Sequence, residues 1–234
     1  MRRLAGASSH VVPRISMTLP ASSVRSSRLD RLCGLYALVG GDDPVAQATE
    51  ALDGGATVIQ LRVKDRPAAQ VVELAARLVA LARGRALVMV NDRADLAVLA
   101  GADGVHVGDQ DLPVAAARAV VGPDLLVGRS TRSLDDGLAA LADGADHVGF
   151  GPIFTTATKQ IVEPPRGLAM LAEVAARLPA PLVAIGGIGL DTIGAVAAAG
   201  AAAAAVIGAL FDDGEPRRRA EALAAAFAAG RKRP

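Results

Sequence analysis

The sequence is poor in the residues that several large classes of protein require. Its 234 residues include one cysteine, no tryptophan and 2% aromatic residues. The single cysteine, Cys33, cannot form a disulfide within the chain, which is typical of proteins in a reducing cytoplasm. The few aromatic residues offer little for nucleic-acid bases to stack on, and a formal net charge of +1 gives no general basic surface. We therefore expect a cytoplasmic protein that does not bind nucleic acid.

Long uninterrupted apolar stretches are also missing. No run of about 18 residues lacks both charges and glycines, so no membrane span is expected. A secretory signal would need a continuous apolar segment near the start, and none is present. Residues 1–28 are rich in serine and arginine, with no acidic residue before Asp30. We expect a disordered, basic tail over 1–28, with Met17 as an alternative start, and one catalytic domain over 29–230.

Lysine and asparagine are scarce. The chain has 51 alanines and 22 arginines but only three lysines, Lys64, Lys159 and Lys232, and one asparagine, Asn91. A composition that replaces lysine and asparagine elsewhere should retain them where chemistry requires them. This hypothesis directs attention to the few that remain.

Buried strands alternate with amphipathic helices from residue 35 onward. Continuous apolar runs separated by Ala- and Leu-rich helical patterns are typical of a parallel sheet covered by helices. Eight such units within about 195 residues favour a closed (β/α)8 barrel, also called a TIM barrel, over an open sheet. The predicted strands cover 35–39, 57–61, 87–90, 104–107, 125–128, 147–150, 182–185 and 203–207.

A Gly-Ala-Asp sequence occurs twice, at 101–103 and at 144–146. Each copy lies where a helix ends and the next strand begins, which is the amino-terminal end of the barrel. We predict a purely structural role for both copies.

The residues that follow the strands are polar, and the active site of this fold lies at the carboxyl ends of the strands. Arg62, Lys64 and Lys159 supply positive charge there, and Asp92 and Asp111 supply two carboxylates from neighbouring strands. Mg²⁺ usually takes one or two carboxylates and the phosphates of its substrate, so the pattern indicates a diphosphate and a metal. The alternatives are that the aspartates cap helices and that the cations form a solvated rim.

A second phosphate site is predicted after strands seven and eight. Gly186, Gly187 and Gly208 allow backbone N–H groups to approach an anion, and barrels often bind a phosphate at this place. Glycines also make plain tight turns, which is the structural alternative. The loop after strand six adds hydroxyl and cationic groups, namely Thr156, Thr158 and Lys159.

The histidines give no clear catalytic pattern. His106 and His147 lie inside predicted strands, where packed side chains are expected, and no zinc-ligand spacing, serine nucleophile motif or GxGxxG motif occurs. Covalent catalysis by Lys64 or Lys159 stays open.

Several segments, in their order along the chain, resemble the thiamine-phosphate synthase family over about residues 35–210. The matching segments are QLRVK at 60–64, VNDRAD at 90–95, DGVHVG at 103–108, GFGPIF at 149–154 with 156–159, and AIGGI at 184–188. Any one segment is a weak signal, but the series is specific.

The resemblance implies a barrel enzyme, a transferase of thiamine biosynthesis. Such an enzyme would join 4-amino-5-hydroxymethyl-2-methylpyrimidine diphosphate to a thiazole phosphate or its carboxylate, giving thiamine monophosphate and diphosphate, with CO₂ when the carboxylated thiazole is used. It implies Mg²⁺ at Asp92 and Asp111, and catalytic roles for Arg62, Lys64, Lys159 and Ser130. The implied pyrimidine diphosphate positions are Gln60, Leu61, Arg62, Val63, Lys64, Asn91, Ser130 and Lys159. The implied thiazole phosphate positions are Thr156, Ala157, Thr158, Gly187, Ile207 and Gly208.

The resemblance also implies a dissociative reaction. Diphosphate leaves first, the aminopyrimidine carries the resulting cation, and the thiazole nitrogen then attacks. Positive charge from a metal and the basic side chains would stabilise the departing diphosphate. Such a reaction needs no strong general base, which agrees with the absence of an evident catalytic histidine.

Four positions depart from the family pattern. Val63 replaces an acidic residue, Asp109 a glutamine, Arg132 a histidine and Gly208 a serine that contacts the thiazole phosphate. We expect weaker phosphate binding at Gly208. The alternatives left open are a thiazole tautomerase on the same barrel, a non-catalytic barrel that binds thiamine precursors, and a barrel enzyme acting on a sugar phosphate. The sequence leaves open whether the protein forms a homo-oligomer.

Overall fold

The chain folds into a closed barrel of parallel strands. The computed structural model describes residues 22–156, 164–212 and 214–231. Eight strands follow one another around the barrel in chain order, and β8 pairs with β1 to close it. Every neighbouring pair is parallel, and helices connect successive strands. The predicted (β/α)8 barrel is confirmed.

The helices and strands have the following bounds: α1 Ser23–Asp30, β1 Gly34–Val39, α2 Pro44–Asp53, β2 Val58–Leu61, α3 Ala68–Ala82, β3 Leu87–Asn91, α4 Ala94–Leu99, β4 Gly104–Val107, α5 Val114–Val121, β5 Leu126–Thr131, α6 Leu134–Ala142, β6 His147–Phe150, α7 Gly167–Arg177, β7 Leu182–Ile185, α8 Leu190–Ala198, β8 Ala203–Val206, α9 Gly208–Phe211 and α10 Pro216–Arg231. None of the helices within these described ranges combines the length and the apolar character that crossing a membrane requires.

Alternation along the strands divides the core into two layers. Leu35, Val88 and Val127 pack with helix residues in the large outer cluster. Their neighbours along the strands, such as Tyr36 and Met89, pack with one another in a smaller cluster inside the barrel. Because side chains alternate in direction along a strand, this division fixes which polar residues face the barrel interior.

The two Gly-Ala-Asp copies have the same structural function at the amino-terminal end of the barrel. Asp103 accepts a hydrogen bond from the backbone N–H of Val88 on β3, and Asp146 accepts one from Val127 on β5, both at 2.8 Å. Each aspartate therefore bridges its own strand to the preceding one. This arrangement agrees with the structural role predicted from the repeat.

The same aspartates hold α1 against the barrel. Arg28 Nε lies 2.9 Å from Asp103 Oδ1, and Arg25 Nε lies 3.3 Å from Asp146 Oδ1. Arg118 also forms an ion pair with Asp146. The sequence placed a disordered tail over 1–28, but residues 23–28 belong to this helix. Charge and serine content suggested disorder, yet two of the arginines have carboxylate partners on the barrel. Residues 1–21 lie outside the described residues.

Strand β5 is longer than its apolar run. The sequence predicts 125–128, whereas the strand continues to Thr131, with Ser130 paired to Gly149 and Thr131 paired to Phe150 of β6. Backbone pairing with β6 therefore keeps polar residues in extended conformation. As a result, Ser130 lies within the barrel wall and not on a loop.

Candidate active site

Three charged residues meet where β2, β3 and β4 end. Lys64 Nζ lies 3.3 Å from Asp92 Oδ2. The Asp92 carboxyl is hydrogen-bonded in turn to that of Asp111. Asp111 also accepts a hydrogen bond from the backbone N–H of Gly108, at 2.7 Å. The structure thus brings together one of the predicted cations and both predicted metal ligands.

The environment of Asp92 makes its negative charge costly. Burial raises its pKa most, and the hydrogen bond and the negative charge of Asp111 raise it further, against a lowering effect of Lys64. A divalent cation bound between two adjacent carboxylates would offset their mutual repulsion. Within the described residues, no third His, Cys, Asp or Glu completes a larger metal cluster. This donor set fits Mg²⁺, which takes few protein ligands when phosphates supply the others.

Neither aspartate caps the helix that follows it. Arg93 is the N-cap residue of α4, and Pro113 is that of α5. Asp92 has a backbone φ of +65°, in the left-handed region that residues other than glycine rarely adopt. Strain of this kind is typical of functional positions, where the surrounding structure holds it in place.

A chain of hydrogen bonds crosses the barrel interior just below this cluster. The Tyr36 hydroxyl and Gln60 Oε1 are 2.6 Å apart, and Gln60 Nε2 donates to Asn91 Oδ1 at 2.7 Å. Complete burial raises the pKa of Tyr36 far above its usual value, so its hydroxyl is a stable donor. Gln60 and Asn91, both predicted to bind the pyrimidine diphosphate, therefore lie side by side.

Ser130 lies in a second polar contact inside the barrel. His106 Nε2 lies 3.0 Å from Ser130 Oγ, and the rings of His106 and His147 have centroids 5.8 Å apart. A Cβ on Gly128 would come within 2.5 Å of both imidazoles, so this glycine provides the space they occupy. The sequence predicted packed histidines and missed the contact with Ser130. The sequence did contain a signal for this contact. Side chains alternate in direction along a strand, so the apolar neighbours Val105 and Val107 direct His106 towards the barrel interior.

Arg62, Ile207 and Gly208 line one cavity of about 240 Å³ at the ends of β1, β2 and β8. The two neighbours of Arg62 that were also predicted to bind substrate, Leu61 and Val63, do not line this cavity. Leu61 is 1% exposed and packs in the outer core layer, and Val63 packs partly against the same layer. Only the backbone of these two residues is therefore suited to meet a substrate.

Gly187 lies against the segment that follows β6. Its φ is +67°, and a Cβ there would lie 2.5 Å from the carbonyl oxygen of Thr155. The turn after β7 thus depends on a glycine to approach this segment, which brings Gly187 close to Thr155, the residue before Thr156. Ala157, Thr158 and Lys159, also predicted to bind substrate, lie outside the described residues.

Fold and site together define the class of (β/α)8-barrel enzymes, with a candidate active site at the carboxyl ends of the strands that combines carboxylates with basic groups. A family model described as thiamine monophosphate synthase matches residues 35–210. The chain belongs to this family. It is a transferase of thiamine biosynthesis that condenses a pyrimidine and a thiazole moiety into thiamine phosphate. The condensation of a pyrimidine and a thiazole moiety that the resemblance predicted is thereby confirmed.

Individual relatives agree with this assignment. The chain is 62% identical over 215 residues to a thiamine-phosphate synthase of Anaeromyxobacter dehalogenans, covering 92% of this chain and 97% of the relative. It is 47% identical over 188 residues to one of Myxococcus xanthus, covering 80% and 86%.

Solved structures show the same fold. A thiamine phosphate pyrophosphorylase from Pyrococcus furiosus superimposes with a TM-score of 0.78 at 33% identity, covering 86% of this chain and 98% of that chain. A 3-hexulose-6-phosphate synthase, at 21% identity and a TM-score of 0.64, covers 82% and 99% and shows the fold alone.

Proposed function

We propose that the chain uses Mg²⁺ to join 4-amino-5-hydroxymethyl-2-methylpyrimidine diphosphate to thiazole phosphate, with release of diphosphate, or to the thiazole phosphate carboxylate, with release of diphosphate and CO₂. The observation that supports this most is the cluster of Lys64, Asp92 and Asp111. It combines a flexible cation with two carboxyls that favour an additional positive charge between them. A diphosphate bound through a divalent cation needs this pair of features.

Asp92 and Asp111 would hold the metal. When bound, Mg²⁺ neutralises negative charge on the diphosphate as it leaves. Lys64 is 54% exposed at its side chain and reaches the same place from β2, so its ammonium can bind a diphosphate oxygen while it stays near Asp92. Arg62, and Lys159 outside the described residues, would add further positive charge. These groups favour departure of the diphosphate before attack by the thiazole.

The barrel interior would bind and orient the pyrimidine. Gln60, Asn91 and Ser130 lie below the charged cluster and already have fixed partners, which limits the reorganisation needed on binding. Met89 and Ile185, in or against the inner apolar cluster, would keep water away from the reactive cation.

The thiazole phosphate would bind between the ends of β6, β7 and β8, at Thr156, Gly187 and Gly208. Asp212 Oδ2 lies only 2.9 Å from the position of a Cβ on Gly208. A serine side chain would meet this carboxylate, and a phosphate near the Gly208 N–H would be repelled by it. Both effects support the expectation of weak phosphate binding at this end of the site.

The free Cys33 supports the cytoplasm as the proposed location.

The direct test incubates purified protein with both phosphorylated precursors and a range of Mg²⁺ concentrations, and measures thiamine monophosphate and diphosphate. The two products should form in equal amounts, and their formation should require Mg²⁺. Formation of product that is unaffected by removal of Mg²⁺ with a chelator would contradict the metal proposal.

The variants Asp92→Asn and Asp111→Asn should lose metal-dependent turnover while remaining folded. Asparagine is a better replacement than alanine at residue 92, because asparagine tolerates the positive φ of this position. Asp95→Asn is the matched control, since Asp95 lies three residues further on and pairs with Arg93 in an exposed position. Normal turnover in both site variants would show that the carboxylates have no part in catalysis.

A further inference from the structure

Asp109 forms ion pairs with two arginines, one on the neighbouring strand and one just beyond its end. Its Oδ1 lies 2.9 Å from Arg129 Nη2, and its Oδ2 contacts Arg132 Nη1. Arg129 belongs to β5 and Arg132 follows its last residue, whereas Asp109 follows β4 by two residues. The contacts therefore connect the loop after β4 to the end of β5.

The loop that carries Asp109 is a compact turn that also carries Asp111. The Gly108 N–H donates to Asp111 Oδ2 at 2.7 Å, and the Asp111 N–H donates to the Gly108 carbonyl at 3.3 Å. These two bonds close the turn over residues 108–111. A displacement of Asp109 would therefore be transmitted to Asp111 through a short and constrained backbone.

We propose that Asp109, Arg129 and Arg132 are positioning residues that anchor the 108–111 turn and thereby hold Asp111 opposite Asp92. The proposal rests on the proposed function, in which these two carboxylates hold the divalent cation. It assigns a role to two of the positions that depart from the family pattern, Asp109 and Arg132, which the structure shows to be partners of each other.

The charges support a role in position more than in stability. The side chains of Asp109 and Arg132 are 36% and 38% exposed, and ion pairs with this exposure contribute little to the stability of a whole domain. Metal affinity, however, responds strongly to groups that orient the ligands, because a carboxylate displaced from its place no longer completes the coordination. Partial exposure also makes the pairs sensitive to salt.

The test measures Mn²⁺ binding to the full chain by electron paramagnetic resonance, with inorganic diphosphate present and no turnover. Asp109→Asn should weaken Mn²⁺ binding by about tenfold, the lower end of what such orienting groups contribute. Hydrogen exchange of the backbone amides of 108–111 should become faster in the same variant without metal. Asp53→Asn is the matched control, since Asp53 pairs with Arg85 at the opposite end of the barrel with side chains 38% and 45% exposed.

Two results obtained with Asp109→Asn would overturn the proposal. Faster exchange with unchanged Mn²⁺ affinity would show that the anchor does not position a ligand, and unchanged exchange would show that it anchors nothing. Weaker Mn²⁺ binding together with faster hydrogen exchange in Asp109→Asn would support it. The exchange measurement needs no metal. Wild-type protein that binds no Mn²⁺ would contradict the metal site itself and, with it, this positioning role. Wild-type protein that binds Mn²⁺, with Asp109→Asn binding it equally well, would contradict the positioning role alone.

Discussion

His106 Nε2 and Ser130 Oγ lie 3.0 Å apart across neighbouring strands, so an imidazole inside the barrel fixes the hydroxyl of a residue proposed to bind the pyrimidine. Ser130→Ala removes this hydroxyl and leaves the barrel wall intact. We expect the KM for the pyrimidine diphosphate to rise by about fivefold, the value of one hydrogen bond of ordinary strength. Steady-state kinetics would measure it.

Thr131→Val is the control for this change. Thr131 is the next residue of β5, is buried, and its hydroxyl donates a long hydrogen bond of 3.4 Å to the Gly149 carbonyl. Its substitution should leave the KM unchanged, even where the melting temperature shifts. An equal rise in KM for both variants would mean that the strand, and not the Ser130 hydroxyl, is responsible.

His147 should make the protein sensitive to acid. Burial, and then the positive charge of His106, lower the pKa of His147 to about 3 in the folded protein, against about 6.5 in the unfolded chain. As the pH falls below 6.5, the unfolded chain gains a proton that the folded state does not take up. The free energy of unfolding therefore falls, by about 2 kcal/mol at pH 5.

His147→Met should remove this pH dependence, because a side chain of similar volume without a titrating group replaces the imidazole. We expect the melting temperature of the variant to fall less than that of wild type between pH 7 and pH 5, measured by circular dichroism. Parallel curves for the two proteins would contradict the assigned pKa shift.

Asp146 should be important for stability and unimportant for catalysis. It is the common partner of Arg25 and Arg118, and the Arg118 side chain is only 3% exposed. Asp146→Asn would leave buried positive charge without its counterion, which costs about 3 kcal/mol in comparable cases. A protein of this size should then lose roughly 6 to 12 °C of melting temperature. The kcat, measured well below that temperature, should not change.

Asp103→Asn is the comparison for this prediction. Its partner Arg28 is 21% exposed, so solvent screens the charge that is left behind. We expect a smaller loss of stability than for Asp146→Asn. Equal losses would show that the backbone hydrogen bonds of the two aspartates, and not the buried arginines, determine their contribution.

Gly187→Ala should lower both stability and activity, because a Cβ would collide with the Thr155 carbonyl and push the turn after β7 away from the segment after β6. The KM for thiazole phosphate should rise more than that for the pyrimidine diphosphate. Gly84→Ala is the control, since Gly84 has a φ of +76° with open space around it. It separates backbone strain from steric displacement, and it should leave both KM values unchanged.

The barrel was predictable because apolar runs and helical patterns alternate, and the runs at 104–107, 147–150 and 182–185 coincide with β4, β6 and β7. The extension of β5 was not, since polar residues are held there only by pairing with β6. Likewise, the sequence around Arg25 resembles a disordered tail, because its ion-pair partner Asp146 is distant in sequence and approaches it only in the folded barrel.

The candidate site was predictable as a set of residues but not as a set of contacts. Lys64, Asp92 and Asp111 could be selected from scarcity and from their places after strands. Their mutual hydrogen bonds, and the pairing of Asp109 with Arg132, depend on the closure of the barrel and the geometry of short turns. Neither is encoded in local sequence patterns.

The hydrogen bonds from Tyr36 through Gln60 to Asn91 have a direction. Because the Tyr36 hydroxyl donates to Gln60 Oε1, the Gln60 amide nitrogen faces Asn91 and occupies its Oδ1. The remaining group of Asn91 is its amide nitrogen, a donor. A tyrosine on β1 thus determines, two strands away, that the only asparagine of the chain presents a proton and not a lone pair to whatever enters the barrel.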